Sequence, residues 1–365
     1  MKHITSMLSA ALASLILLSS TAQGQNGGLK FSLKDLGARL KDSFSAQSST
    51  ANGINNRGDV TGNLWVGQDQ ECFYWGAKDT KPTVFYFLTR KFVPVFCDAR
   101  AVDSLGQVAG SGYTFLGTTR AFRRDSKGGT LTALDPVAPL TTSNGLGIYN
   151  GTVVGYMGYY FSASWDANGA VSNLFPTIHS QAFGLNATGQ AIGFFLTSQN
   201  SLHAFSGISG SFTDLGTLGG NDSLAYAINA SGIIVGQADV PSGGCVPHLA
   251  YWVANVATDL GACGWSASAI SSDNWIVGYQ QVPSRNCSPW QTSGDCRAFL
   301  ATLTPNCIGP YDLNTLLDSS GAGWTLVQAT GINDSHQIVG FGITPKGETH
   351  AFVLTPNNQQ LCYPD

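Results

Sequence analysis

One phrase, repeated seven times, limits what this chain can fold into. Its fullest form is Ala225-Tyr-Ala-Ile-Asn-Ala-Ser-Gly-Ile-Ile-Val-Gly236, followed by His248-Leu-Ala-Tyr-Trp252 and Thr258-Asp-Leu-Gly261. The opening returns at Asn52–Gly62, Ala101–Gly110, Gly147–Gly155, Gly184–Gly193, Ala269–Gly278 and Gly331–Gly340. A period in the forties means an array of like units, each burying its neighbour's face. Residues that recur in most copies hold the unit together. Chemistry is expected where the copies differ.

Each copy reads as four short strands. The first alternates small residues, as at Ala225 and Ala227, Ala267 and Ala269, Gly145 and Gly147, and Ala99 and Ala101. A period of two with Ala or Gly on one face suits a strand crowded against a neighbouring sheet. An Asn-x-x-Gly turn leads into the second strand, such as Ile233 to Gly236. Asn bonds its own backbone there and Gly takes the left-handed conformation. Asn274 and His336 replace that glycine in copies six and seven, His336 at greater strain.

The third strand is His-Ala-Phe or a relative (His203, His350, Arg120 and Arg297 begin it), and the fourth is Thr-Asp-Leu-Gly. His203 and Asp214 are eleven apart, as are His248 and Asp259. A hairpin with a two-residue turn is expected to set such residues directly opposite each other. Ser162 and Asn173 keep the spacing in copy three as a neutral version.

Copy seven stops at His350-Ala-Phe-Val-Leu354, while Phe31-Ser-Leu-Lys-Asp-Leu-Gly37 stands alone near the start. If this orphan strand completes the last copy, the terminal sheet edges vanish and Asp35 faces His350. The expectation is therefore an all-β fold, a seven-bladed β-propeller closed by the N-terminal strand. A linear β-solenoid, which needs no orphan strand, is the alternative.

The Asn-x-x-Gly-x-Val-Val-Gly, His-Ala-Phe and Asp214-Leu-Gly-Thr-Leu-Gly-Gly220 phrases resemble the bacterial extracellular repeat proteins of the HAF type. The resemblance covers nearly all of residues 30–356 and departs most in copies one to three. It implies secretion and a propeller-like architecture, and it brings no catalytic residues.

Lys2 and His3 precede an apolar run from Met7 to Leu18 and then small residues, the pattern of a secretory signal peptide over residues 1–24. The run is too short to span a bilayer. Residues 25–365 are expected to form one domain, extracellular or periplasmic. All eight cysteines lie in that part, none in a CxxC pair, as an oxidising compartment allows. Cys72 and Cys97 are placed just before the third strand and just after the fourth of copy one, and Cys245 and Cys263 likewise in copy five. Each couple is paired within its copy; Cys287 with Cys296 and Cys307 with Cys362 follow by proximity.

Net charge is −4 and charged residues make up 11% of the chain, with no basic stripe, which argues against a nucleic-acid partner. No metal site is assigned to the repeated histidines, because Arg120 and Arg297 replace them in other copies and arginine cannot ligate a metal. No cofactor motif or nucleophile elbow occurs.

The copies differ most in the loop between strands two and three. Trp65, Tyr113, Tyr159 and Trp290 are the candidate stacking groups there, with Arg285 and Asp239 as polar anchors. Tyr156, Phe194 and Phe195 belong to the same set. The expected function is non-enzymatic binding of an extracellular glycan or other polymer. The rivals are a polysaccharide hydrolase or lyase, which requires Asp239, Asp295, Glu71 or His179 to converge, and an adhesion or scaffold protein.

Overall fold

The computed structural model describes residues 28–86, 96–113, 118–126, 128–241, 247–280, 296–304 and 309–357. The expected signal peptide lies outside them, as do Arg285, Trp290, Asp295, Cys245, Cys287, Cys307 and Cys362.

The chain forms seven four-stranded antiparallel sheets. Six follow chain order: blades one (48–85), two (97–134), three (143–173), four (180–214), five (223–263) and six (265–312). Blade seven combines Thr325–Ile332, Ile338–Ile343 and Thr349–Pro356 with Phe31–Asp35 as its outer strand, and Asp35 pairs with Phe352. The first strands touch their neighbours around the whole ring, blade seven meeting blade one. The architecture is a seven-bladed β-propeller.

The recurring residues are those that let blades meet. Strand-two glycines lie where a side chain has no room. A Cβ on Gly278 would fall 2.0 Å from the Ser266 carbonyl oxygen and 2.7 Å from the Phe299 ring. The Phe of His-Ala-Phe fills the space this opens, and Phe73, Phe122, Phe205, Phe299 and Phe352 are fully buried. The middle Ala leaves its N–H free to reach the next blade. Ala204 N–H donates to Ser223 Oγ (2.8 Å), Ala121 to Ser143 (3.1 Å) and Ala351 to Ser49 (3.0 Å).

The turn asparagines do more than close a hairpin. Asn229 Oδ1 accepts the N–H groups of Ser231 and Ile233, and Gly232 is left-handed at φ 81°. The opposite end of the amide crosses to the next blade. Asn229 Nδ2 donates to Ser271 O (3.2 Å), Asn55 Nδ2 to Asp103 O (2.7 Å) and Asn333 Nδ2 to Asn55 O (3.0 Å). Asn274 and His336 are left-handed as expected, at φ 71° and 57°. His336 stacks on Trp275 at 3.8 Å and bonds Asp273 at 2.7 Å, contacts that offset its backbone strain.

The His–Asp pairs form with a register different from the one expected. Asp214 lies opposite Phe205, Asp259 opposite Ala250 and Asp35 opposite Phe352, so each His reaches its Asp diagonally along one face. The Nδ1–Oδ separations are 3.0, 3.0 and 2.9 Å. Asp214 and Asp259 also accept the N–H of the Gly two residues on, which accounts for the Asp-Leu-Gly order. Asp35 instead accepts from Ala38 and starts the helix Gly37–Phe44, an element not foreseen, whose Leu40 is buried.

The neutral pair expected in copy three is absent from this arrangement. Leu174 N–H bonds Ser162 O as Leu215 N–H bonds Ala204 O, so Ser162 occupies the Ala position and Phe161 the His position. Ser162 Oγ bonds Ser180 across the blade boundary.

Cys72 and Cys97 are joined as expected, but in a different frame. Cys72 lies within Asp69–Trp75 and Cys97 begins Cys97–Val102, so the disulfide ties blade one to blade two. Cys263 and Cys296 are also disulfide-bonded, and the expected pairings Cys245–Cys263, Cys287–Cys296 and Cys307–Cys362 each include a residue outside the described ones.

Candidate binding site at the hub

Every first strand carries a β-bulge at the same place, between its two small residues: Ala51/Gly53, Ala99/Ala101, Gly145/Gly147, Ala182/Gly184, Ala225/Ala227, Ala267/Ala269 and Ala329/Gly331. The small residues are needed because neighbouring backbones come close. A Cβ on Gly147 would sit 2.8 Å from the Phe183 carbonyl and 3.0 Å from Gly184 Cα. The extra residue of each bulge is released from the ladder and lines the central channel. Around the ring these are Asn52, Arg100, Leu146, Phe183, Tyr226, Ser268 and Thr330.

This ring divides the channel. Towards the Asn-turn end lies a chamber of about 240 Å³ walled by aliphatics such as Ile54, Val102, Ile148 and Ile228. Towards the face bearing the strand-two-to-three loops lies a cavity of about 460 Å³, inside the range typical of ligand pockets. Tyr156, Gln181, Ser266, Tyr279 and Gln328 complete its wall.

The wall is rich in neutral hydrogen-bonding groups and offers ring faces. Phe183 and Tyr226 stack, centroids 5.5 Å apart and planes 7° from parallel. Burial pushes the Tyr226 phenol well up, its neighbour Tyr279 adds to the rise and the Ser266 hydroxyl opposes it. Tyr279 rises for the same first reason, again against Ser266. Both therefore stay protonated donors at neutral pH. Ser266 is 3% exposed, and its hydroxyl lies between these two phenols. Burial also raises Tyr156, against the pull of Arg100. Among the described residues, the lining contains no carboxylate or imidazole, and Arg100 is its one cation.

The loop residues singled out from sequence lie elsewhere. Trp65 is buried, because blade one turns tightly after Val66, which pairs with Asp69; the ring belongs to the sheet and its face is not free for stacking. Tyr113 ends the second strand of blade two and packs on Phe96 at 4.7 Å. Tyr159 is 86% exposed and outside the cavity lining. Asp239 is tied to the start of its own blade, donating to Asp222 O and accepting from Gly220; burial and nearby Asp222 raise its carboxyl. Glu71 lies in the third strand of blade one and His179 beside Tyr160 and Phe161 before blade four, so the described members of the enzyme set do not converge. Of the loop aromatics, Tyr156 reaches the cavity and Phe194 backs it, 5.5 Å from Phe183. The ring itself was missed. Its signal is in the sequence: the position between the two small residues carries a different residue type in every copy.

No family model matches the chain, and no curated protein matches it. Among solved structures it is similar to the β-propeller domain of the Trilobed protease from Pyrococcus furiosus, described as having an open velcro topology. The TM-score is 0.54 at 8% identity, over 87% of this chain and 97% of that one. It is also similar to YCF48 bound to D1 peptide, with a TM-score of 0.52 at 10% identity over 89% and 96% of the two chains. A prolyl endopeptidase gives 0.53 at 11% identity, over 88% of this chain and 52% of that longer one. At such identities the likeness carries the fold alone. Among the described residues, no helix is long and apolar enough to cross a membrane, and no cluster of three or more His, Cys, Asp or Glu is placed to hold a metal.

Proposed function

We propose that this protein is a secreted propeller of the HAF-repeat type that binds a unit of an extracellular glycan in the hub cavity, without altering it. One observation carries the reading. Variable side chains, placed by seven bulges, surround a cavity whose wall combines a stacked Phe183–Tyr226 pair with phenol, amide and hydroxyl groups, the Ser266 hydroxyl lying between the Tyr226 and Tyr279 phenols. Ring faces take up the apolar side of a sugar while the amides and phenols meet its hydroxyls. Secretion is supported by the charged and apolar N-terminal pattern and by the disulfides.

The test is a screen of the purified protein, disulfides intact, against soluble polysaccharides, scoring retention and the release of reducing or unsaturated ends in the same tubes. Retention without new ends is the expected result. New ends would make the protein an enzyme, and retention of none would reject the glycan reading.

A further inference from the structure

We propose that Arg100 makes the hub cavity selective for a carboxylate-bearing sugar unit, an acidic rather than a neutral glycan; the inference rests on the hub being the glycan site. Arg100 is the bulge residue of blade two and its side chain is half exposed, at 52%. Its Nε donates to Asp98 Oδ2 at 2.6 Å. The other Asp98 oxygen is taken by Asn63 Nδ2 at 2.7 Å, and Asn63 Oδ1 accepts the Ala99 N–H at 2.9 Å. The guanidinium is thus fixed from behind by a carboxylate that is itself fixed on both oxygens.

What remains is the end-on edge. Neither Nη1 nor Nη2 of Arg100 makes a hydrogen bond to any described residue. Four N–H donors in a planar fork are left over a cavity with no carboxylate in its described wall. That edge matches the two oxygens of a carboxylate, and charge-assisted bidentate pairs are the strong members of their class. Asp98 works both ways. It removes the orientational freedom of the guanidinium, and its charge offsets part of the attraction for an anion. Geometry then decides more than net charge: a second oxygen accepted from the fork gains what a neutral hydroxyl cannot. The Phe183–Tyr226 stack and the Gln181 and Gln328 amides supply the contacts a sugar ring needs in either form.

The test compares each acidic probe with its own ester. Polygalacturonate, alginate and hyaluronate oligosaccharides and their methyl esters are titrated calorimetrically into the protein at pH 7, with dextran and dextran sulfate alongside. The expected result is at least one acid bound about tenfold or more tighter than its ester, as a charged hydrogen bond implies. Arg100→Gln is expected to bring that ratio to about one, and Arg100→Lys, which keeps the charge without the fork, to leave it in between. Melting curves establish that the variants are folded. Equal affinity of acid and ester overturns the acid preference while leaving the hub reading intact. Equal binding of dextran sulfate, lost in Arg100→Gln, overturns the carboxylate assignment in favour of anions in general. Binding of neither form of any probe overturns both.

Discussion

Asp35 and His350, 315 positions apart in sequence, meet side chain to side chain at 2.9 Å. The contact joins the first strand of the chain to the last sheet and repeats the His203–Asp214 and His248–Asp259 pairs inside blades four and five. It differs from them in burial, His350 being 6% exposed and His203 24%. Asp35→Ala removes the His350 contact and the acceptor for Ala38 together, a loss of about 2 kcal/mol. Asp214→Ala, at an exposed pair, is expected to cost under about 1 kcal/mol. Urea titration of both variants decides; equal losses would remove any special role for the strand that joins the chain ends.

Glycines of two kinds separate steric need from backbone conformation. Gly278→Ala forces a Cβ against the Ser266 carbonyl and should cost more than about 4 kcal/mol. Gly210, at φ 80° with nothing within 4 Å of a built Cβ, should lose only about 1 kcal/mol as Ala. Soluble yield and chemical denaturation report both values.

The inter-blade role of the turn amides is separable from their turn role. Asn229→Asp keeps the acceptor for Ser231 and Ile233 but loses the donor to both Ser271 O and Asn274 Oδ1, and should cost about 1–3 kcal/mol. Hydrogen exchange should then accelerate at the boundary of blades five and six. Exchange unchanged there would mean the cross-blade bond contributes nothing.

Tyr226, Tyr279 and Tyr156 are all shifted upward, and Tyr74 is pushed up to about 12, in each case chiefly by burial. A raised folded value means that the stabilisation is whole below the unfolded value of about 10 and is lost as pH climbs through the folded one. Absorbance at the phenolate band should therefore show a late-ionising group of tyrosines, smaller by one in Tyr226→Phe. Early ionisation of all tyrosines would contradict the buried placement of the hub phenols.

Most of the architecture was legible in the chain because it depends on steric rules that repeat. The Val-Val-Gly glycine, the small pair in strand one and the Asn turn mean the same thing in every copy. Register was harder. The spacing of eleven identified the partners His203 and Asp214, yet the diagonal placement depends on where the turn falls, which spacing alone leaves open. Cys72 and Cys97 could be paired by alignment, whereas the blade to which Cys97 belongs could not. The hub was hidden for a clearer reason. A strict period of two assigns alternate residues to opposite faces, and a bulge between the small residues breaks that period and turns Arg100 or Tyr226 into the channel. The loop aromatics form the more conspicuous pattern, but Trp65 is a buried residue of the strand Val60–Val66.

The most direct measurement places the ligand. Ser268 occupies the bulge position that is already Tyr226 in blade five, so Ser268→Tyr suits the backbone while filling the cavity. Its affinity for a retained polysaccharide is compared by calorimetry with that of a Tyr113→Ala/Tyr159→Ala double variant, whose altered residues lie outside the cavity lining. Binding at the hub predicts a loss of about tenfold or more in the first and less than about twofold in the second. Full affinity in Ser268→Tyr with a large loss in the loop variant would contradict it and return the site to the loops.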